Sequence, residues 1–355
     1  MPLTVLQVAF PFAAVGIDSV GGAEQVLAAC EQAVVRAGHN SIVVACEGSR
    51  VAGELIAVPR AAPRDEAAAR RAAHAAHKQA IDAAIARFGV DLVHCHGIDF
   101  AAYLPAEGAD VLVTLHLAHS LYAEAALRPH RVGTYFNCVS RSQYAACRNV
   151  PNLLPSIANG VDIERLRPDP NVRRRHALLL ARICPEKGIH LAIEAAKQAD
   201  SDLVIAGEVF PYAAHERYFA DEVRPRLDGR RVFIGSASFE EKRKLLQSAR
   251  CLLVPSLVDE TSSLVAMEAL ACGTPVIAFR RGALPEIVED GITGALIDNI
   301  EQMVAAIGKA DAFQSGACVS AARRRFSAAR MTREYLDLYE RLSARTRQHV
   351  RRAAS

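Results

Sequence analysis

The stretch Val254–Gly294 reads VPSLVDETSSLVAMEALACGTPVIAFRRGALPEIVEDGITG, and its pattern decides the fold. Leading into it, Cys251-Leu252-Leu253-Val254 is an apolar run that predicts a buried strand closed by Pro255. A polar loop follows over 256–263. Ser262 and Ser263 are both good N-cap residues for a helix that carries Leu264, Val265, Met267, Glu268 and Leu270 and stops at Gly273. Pro275-Val276-Ile277-Ala278-Phe279 is the next strand. Strand, helix and strand in this order predict a unit of an open parallel sheet, where ligands bind in loops at the carboxyl ends of strands. Glu260 closes that loop and Glu268 sits on the helix. Between them lie the unpaired N–H groups of the helix start, about 262–265, which attract phosphate. A carboxylate can accept from two neighbouring hydroxyls. An anion seat flanked by two hydroxyl clamps suits a nucleotide-diphosphate sugar, although either glutamate alone would more readily be a solvated charge.

With its neighbours, this stretch resembles the donor-binding segment of retaining glycosyltransferase family 4. Glu260…Glu268 matches that family's E-x7-E motif. Ala271-Cys272-Gly273-Thr274-Pro275-Val276-Ile277 and Pro285-Glu286-Ile287-Val288-Glu289-Asp290-Gly291-Ile292-Thr293-Gly294 match the two strings that follow it. Thr261-Ser262-Ser263 stands where the family usually carries Phe-Gly. Glycine lets a ligand approach the backbone closely, so the fit to the donor sugar is where this chain departs. The resemblance implies that Glu260 meets the hydroxyls of the transferred sugar and Glu268 the ribose. Thr261, Ser262, Ser263 and Leu264 complete the donor loop.

The bulk composition agrees with such a protein. At 355 residues the chain predicts two domains, and 51% hydrophobic residues support sizeable cores. A net charge of +3 gives no case for a nucleic-acid partner. Nine cysteines without a C-x-x-C pair read as reduced thiols of a cytoplasmic protein. Met1 to Ala9 is a short strand without a basic leader, so it does not read as a signal peptide. No apolar run approaches the ~20 residues of a membrane span.

From the start, Leu3 to Ala9 predicts the first strand, 10–20 a loop, and Gly21-Gly22-Ala23-Glu24 the opening of a helix to Arg36. Gly38-His39-Asn40 ends the helix and Ser41 to Ala45 is the second strand. A glycine pair at a helix start either shapes the turn or faces a ligand. It resembles the G-G loop of the family's acceptor domain, and the G-x-G-x-x-G of a dinucleotide site is absent. Ala61 to Phe88 is Ala-rich and basic, with Arg70, Arg71, His74, His77 and Lys78 on roughly one side. It predicts a solvated surface helix, or else a face that meets anionic membrane.

Asp91 to Gly97 and Val111 to Leu115 are strands ending near His96 and His116. His94, His96, His116 and His119 lie near strand ends, but no nearby Cys or carboxylate completes a zinc set. These strands resemble the family's D-x-V-H-x-H and V-x-H strings, which implies that His116 lies beside the transferred sugar. Val132 to Ser140 is a further strand, and Ser140 matches a family position on the acceptor side, with Gly21, Gly22 and His96. Ile157-Ala158-Asn159-Gly160-Val161-Asp162 with Arg167-Pro168 resembles the string that leads out of the first domain. Pro168 to Pro170 and Arg173-Arg174-Arg175 read as a solvated linker.

In the second half, Ala177 to Ala181 is a strand, Arg182 to Gly188 a loop, and Ile189 to Gln198 a helix. Arg182 and Lys187 suit a diphosphate: Arg forks two oxygens and Lys adds a point charge. The string matches the family's G-R-x-x-x-E-K-G, with Ala181 for Gly. Leu203 to Ala206 is a strand ending at Gly207. Val232-Phe233-Ile234-Gly235 is a strand and turn, which the resemblance places beside the nucleobase, and Phe239 to Ala249 is a helix. Arg330 to Leu342 is an amphipathic helix that the resemblance sends back to the first domain, and 345–355 reads as a frayed tail.

The implied architecture is α/β, the GT-B fold: two Rossmann-like domains facing across a cleft, 1–168 for the acceptor and 172–327 for the nucleotide sugar. Residues 328–355 form the returning helix and tail. The implied activity is a retaining, metal-independent transfer without cofactor from a nucleotide sugar to a glycan, glycolipid or small-molecule acceptor. His116, Glu260, Arg182 and Lys187 are its implied catalytic residues. The location expected is cytoplasmic, with peripheral contact at the inner membrane face as an option. The rivals are a nucleotide-sugar epimerase of the same fold and a non-catalytic nucleotide-sugar binder.

Overall fold

The computed structural model describes residues 2–16, 18–19, 21–60 and 67–353, with side chains through 345. The chain forms two units, 1–159 with 329–355, and 160–328. Unit 1 begins β1 (Thr4–Val8), α1 (Gly22–Arg36), β2 (Asn40–Cys46) and β3 (Glu54–Val58). It continues α2 (Ala67–Phe88), β4 (Leu92–Cys95), β5 (Asp110–Leu115), β6 (Thr134–Cys138) and α3 (Arg141–Ala146). Its six strands are parallel in the order β3-β2-β1-β4-β5-β6. A parallel sheet with helices on both faces needs apolar residues on both sides of each strand. Val5, Leu6, Val8, Val43, Val44, Val93, Leu112 and Val113 supply them, all buried.

Unit 2 repeats the plan. It runs β7 (His176–Leu180), α4 (Ile189–Gln198), β8 (Leu203–Ala206), α5 (Ala213–Tyr218), β9 (Arg231–Phe233) and α6 (Phe239–Ser248). Then come β10 (Ala249–Val254), α7 (Leu264–Ala271), β11 (Val276–Phe279), α8 (Leu284–Ile287), β12 (Gly294–Ile297), α9 (Ile300–Gly308) and α10 (Ser315–Arg325). The order β12-β11-β10-β7-β8-β9 is the same doubly wound arrangement. Winding reverses between β7 and β10, so the loops leaving those two strands flank the switch point. β3 and β12, the outermost strands beside β2 and β11, escaped the sequence reading because ELIAV and GALI are short and carry no strand signal beyond a few apolar residues.

The last helix, α11 (Ala328–Ala353), joins unit 1. Met331, Tyr335, Leu338, Tyr339 and Leu342 recur at helical spacing and pack on Leu3, Val5, Val26, Leu92, Leu112 and Ile157. The helix runs on through Ala353, so the expected fray from Arg345 is instead helical backbone over its described part. Residues 160–168, assigned to the first domain from sequence, cluster with unit 2. There Val161 bridges Ser327, and Val161 and Leu166 enter the core with Leu178, Leu252 and Leu270.

Two charged segments also differ from expectation. Arg174 is not solvated linker: its guanidinium donates to the Gly273 carbonyl and to Ser315 Oγ, 3.1 Å away. The described part of the basic stretch 61–88 does not present one cationic face, and 61–66 lie outside the described residues. Ala73, His77, Ile81 and Ala84 turn inward. His74 Nε2 meets Asp99 Oδ2 at 2.5 Å, Lys78 pairs with Asp82 at 2.8 Å, and Arg70 lies over the Phe12 ring. Helical spacing was right; the imidazoles belong to the packed side.

Burial pushes the His77 pKa down to about 4. Unfolded, an imidazole takes up its proton near 6.5. The unfolded chain therefore binds more protons between these values, and stability falls as pH drops through the window. His77→Leu should remove about 2 kcal/mol of the loss between about pH 7 and about pH 5, read from urea midpoints. An unchanged pH slope would show that His77 does not titrate in this way.

Candidate functional site

In unit 2, three loops meet at the carboxyl ends of β7, β10 and β11. The loop after β7 carries Arg182 and Lys187 and ends at Gly188, whose φ of +62° is left-handed. A Cβ there would lie 2.2 Å from the Pro255 carbonyl oxygen. Glycine is thus required by both backbone and space, and it seats this loop against the exit of β10. Leu257 N–H donates to the Glu186 carbonyl at 2.8 Å, a second tie between the same loops. The loop after β11 turns at Gly282, where a Cβ would come within 2.5 Å of Glu260 backbone atoms. Ala283 N–H donates to the Glu260 carbonyl at 2.7 Å, and Gly282 N–H to Asp259 Oδ1 at 3.1 Å.

These ties aim the charged groups. Lys187 Nζ reaches Glu260 Oε1 at 2.5 Å, with side chains 23% and 12% exposed. Ser256 Oγ donates to the same oxygen. Lys187 of the first loop and the first glutamate of the pair therefore share one place. Arg182 is exposed and lies 5.9 Å from the Phe210 ring. Glu268, on α7, is buried and pairs with Lys242 Nζ at 2.5 Å. The expected ribose clamp is thus already neutralised in part by a lysine that sequence reasoning passed over. Lys242 stands on α6, 26 residues upstream, and no spacing marks it. Ser256 and Gly282 were likewise missed, although Ser256 lies four residues before Glu260.

Ser263 takes the N-cap position of α7 without a side-chain cap, and the Ser262 hydroxyl is buried with no partner. The helix start therefore retains N–H groups that no serine side chain satisfies. Thr261 and Leu264 are half-buried beside them, and Gly235, φ +78°, ends the β9 turn, where its carbonyl accepts from Gly207 N–H at 2.9 Å.

In unit 1, the chain around His116 is stapled on both sides. Gln143 Nε2 donates to the carbonyls of Leu115 and Leu117, each at 2.8 Å, and Tyr122 OH accepts from Leu117 N–H at 3.2 Å. His116 Nε2 stands 3.0 Å from His96 Nδ1. Burial pushes the His116 pKa down to about 3, and those of His94 and His96 lie well below the usual imidazole range for the same reason. The Ser140 hydroxyl caps α3 by accepting from Gln143 N–H at 3.1 Å. Gly21 leaves the space that the Glu24 carboxyl fills, since a Cβ would meet Glu24 Oε2 at 1.8 Å. Burial raises the Glu24 pKa. Gly22 opens α1.

Both ring nitrogens of His94 and of His96 are taken by hydrogen bonds. Among the described residues one trio, Cys184, Glu186 and His215, gathers three metal-type donor atoms within 4.8 Å of one another. The Cys184 thiol donates to the Arg182 carbonyl at 3.7 Å, burial raises the thiol pKa to about 11, and the positive charge of Arg182 acts on both Cys184 and His215.

The glycosyltransferase family 4 model matches residues 20–165, and the glycosyl transferases group 1 model matches 174–310. A lipopolysaccharide 1,2-N-acetylglucosaminetransferase of Salmonella typhimurium is 33% identical over 144 residues, 37% of this chain and 37% of that protein. The chain thus spans little more than a third of that relative's length. Among solved structures, AviGT4, a glycosyltransferase involved in avilamycin A biosynthesis, superposes with a TM-score of 0.73 at 24% identity over 97% of this chain and 98% of its own. HepE of Anabaena, in complex with UDP-glucose, gives 0.73 at 16% over 95% and 99%. Two doubly wound sheets, the converging motif loops of unit 2 and matches to both halves lead to one conclusion: the chain belongs to glycosyltransferase family 4 and has the GT-B fold.

Proposed function

We propose that this protein transfers a sugar, with retention at the anomeric carbon, from a nucleotide-diphosphate sugar to a glycan, lipid or small-molecule acceptor. The observation that carries the reading is the placement of Arg182, Lys187, Glu260 and the start of α7 around one switch point of a parallel sheet. Arg182 and Lys187 would meet the diphosphate. Lys187 has three protons to donate, so it can hold Glu260 and a phosphate oxygen together. The N–H groups of α7 add donors for the same anion. Charge that develops on the leaving diphosphate would then be met by fixed protein groups, so no resident metal is invoked.

Glu260, anchored through one oxygen by Lys187 and Ser256, keeps the other for hydroxyls of the transferred sugar. Glu268, anchored by Lys242, would accept from the ribose. HepE binds UDP-glucose, which supports the donor class and not a particular base or sugar here. No helix among the described residues is long and apolar enough to cross a membrane. All nine cysteines are free and buried, which supports a reducing, cytoplasmic setting. Peripheral contact with anionic membrane through α2 would fall to Arg70 and Arg71, since its other basic groups are buried or paired.

The two glutamates should fail differently. Glu268→Ala should weaken both nucleotide sugar and bare nucleoside diphosphate, and raise the donor KM. Glu260→Ala should spare the bare diphosphate and lower kcat, because the sugar is the part that changes charge and shape at the transition state. Lys187→Ala should cost about 1.5–3 kcal/mol of diphosphate affinity and little for the nucleoside. Titration calorimetry beside initial rates reads all three. Equal loss of diphosphate affinity in both glutamate variants would overturn the assignment of sugar and ribose.

Transfer should also persist in excess chelator. Activity lost to chelator and restored by added manganese would contradict the charge arrangement proposed for Arg182 and Lys187.

A further inference from the structure

Unit 1 buries a polar chain that the proposed transfer does not by itself explain. His116 Nε2 lies 3.0 Å from His96 Nδ1, and His96 Nε2 lies 3.0 Å from Gln7 Oε1. Gln7 Nε2 reaches Tyr339 OH at 3.3 Å, and Tyr339 OH reaches His94 Nδ1 at 2.7 Å. His94 Nε2 meets Thr114 Oγ1 at 2.7 Å, Thr114 Oγ1 meets Asn137 Oδ1 at 2.7 Å, and Asn137 Nδ2 lies 3.4 Å from the Cys138 carbonyl. Gln7, His94, His96, Thr114, Asn137 and Tyr339 are all at most 2% exposed. Such a set is costly to bury unless each donor finds an acceptor.

The chain admits two consistent proton orders, related by turning over both amides and moving every proton to the other side. Tyr335 OH, 3.3 Å from Thr114 Oγ1 and 3.2 Å from Asn137 Nδ2, can donate or accept and serves either order, so the Cys138 carbonyl chooses between them. It can only accept, so the NH2 of Asn137 faces it; the reverse would set two acceptor oxygens against each other. Asn137 Oδ1 then takes the Thr114 proton, so Thr114 accepts from His94 Nε2–H. His94 Nδ1 is left bare and takes the Tyr339 proton. Tyr339 in turn accepts from the Gln7 amide, whose oxygen faces His96. His96 carries its proton on Nε2 and accepts through Nδ1 from His116 Nε2–H.

We propose that this buried relay fixes His116 as the Nε2–H tautomer, so that toward a ligand hydroxyl it acts as an acceptor through Nδ1, with His96, Gln7 and Tyr339 as positioning residues. The functional half of this inference rests on the reading of His116 as a contact of the transferred sugar; the tautomer does not. Burial separately keeps the ring uncharged near neutral pH. His116 therefore orients a hydroxyl and does not supply a proton to the leaving group.

The test is ring nitrogen NMR on the full chain labelled with nitrogen-15 histidine, the His116 signals being assigned with His116→Asn. The expected spectrum has a protonated Nε2 and a bare Nδ1 at His116; a protonated Nδ1 overturns the proposal. Tyr339→Phe removes one hydroxyl on α11 and leaves the His96–His116 contact in place. It should release the Gln7 amide, mix the two tautomers at His116 and lower kcat about fivefold to tenfold, the worth of one neutral hydrogen bond. Nucleoside-diphosphate affinity should not change. Unchanged His116 signals in this variant overturn the relay, and a mixed tautomer with full kcat overturns the positioning role. Gln7→Leu, which cuts the relay at another link, should give the same spectrum as Tyr339→Phe. If no nucleotide sugar is turned over while the tautomer is as stated, the proposed transfer fails and the relay stands.

Discussion

The ion pair between Lys187 and Glu260 ties the candidate donor site together. Its two ends come from motifs 73 residues apart, and each end is held by backbone the other motif supports. Gly188 presses the Lys187 loop onto Pro255, and Gly282 presses the β11 loop onto Glu260 itself. A half-buried pair contributes little to net stability, because desolvation offsets most of the attraction. Its consequence is geometric. It holds a cation and a carboxylate in fixed positions before any ligand arrives, and removal of either partner would leave the other charge uncompensated.

That view explains why the forty-residue stretch from Val254 is so informative. The Pro285-Glu286-Ile287-Val288 string lies mostly in the short helix α8. It follows the turn at Gly282 and Ala283 that braces Glu260, and Leu284 and Ile287 bury into the unit 2 core. The Arg182 to Gly188 loop is likewise half chemistry and half fit: Lys187 is aimed at Glu260, while Ile183 and Cys184 are buried. Unit 1 makes a different use of its strands. Gln7 interrupts an otherwise apolar strand, TVLQV, and would look like a flaw in the core without the histidines and Tyr339 around it.

The parts legible in the sequence were those with a local signal. Helix α4 was read at its true bounds because Gly188 and an apolar stripe mark it. The apolar stripe of α11 predicted an amphipathic helix, and the family resemblance its return to unit 1. Partners distant in sequence were not legible: Lys242 for Glu268, Ser256 for Glu260, and Tyr339 for Gln7 and His94. Polarity also misled. Arg174 and His77 read as solvated from their neighbours, yet one braces Gly273 and Ser315 and the other packs 5.6 Å from the Tyr103 ring. Ser140 matched a family position, and its role as the cap of α3 was not read from the sequence.

The central claim is that one nucleoside diphosphate sits on the loops after β7 and β10, with the β11 loop bracing Glu260 behind them. Hydrogen–deuterium exchange on the full chain, with and without saturating UDP and in parallel GDP, tests it most directly. Slowed exchange is predicted in 182–188, 255–265 and 281–284 together, with the base affecting affinity more than the pattern. Protection absent from these three segments with both nucleotides, or confined to 21–24 of unit 1, would contradict it.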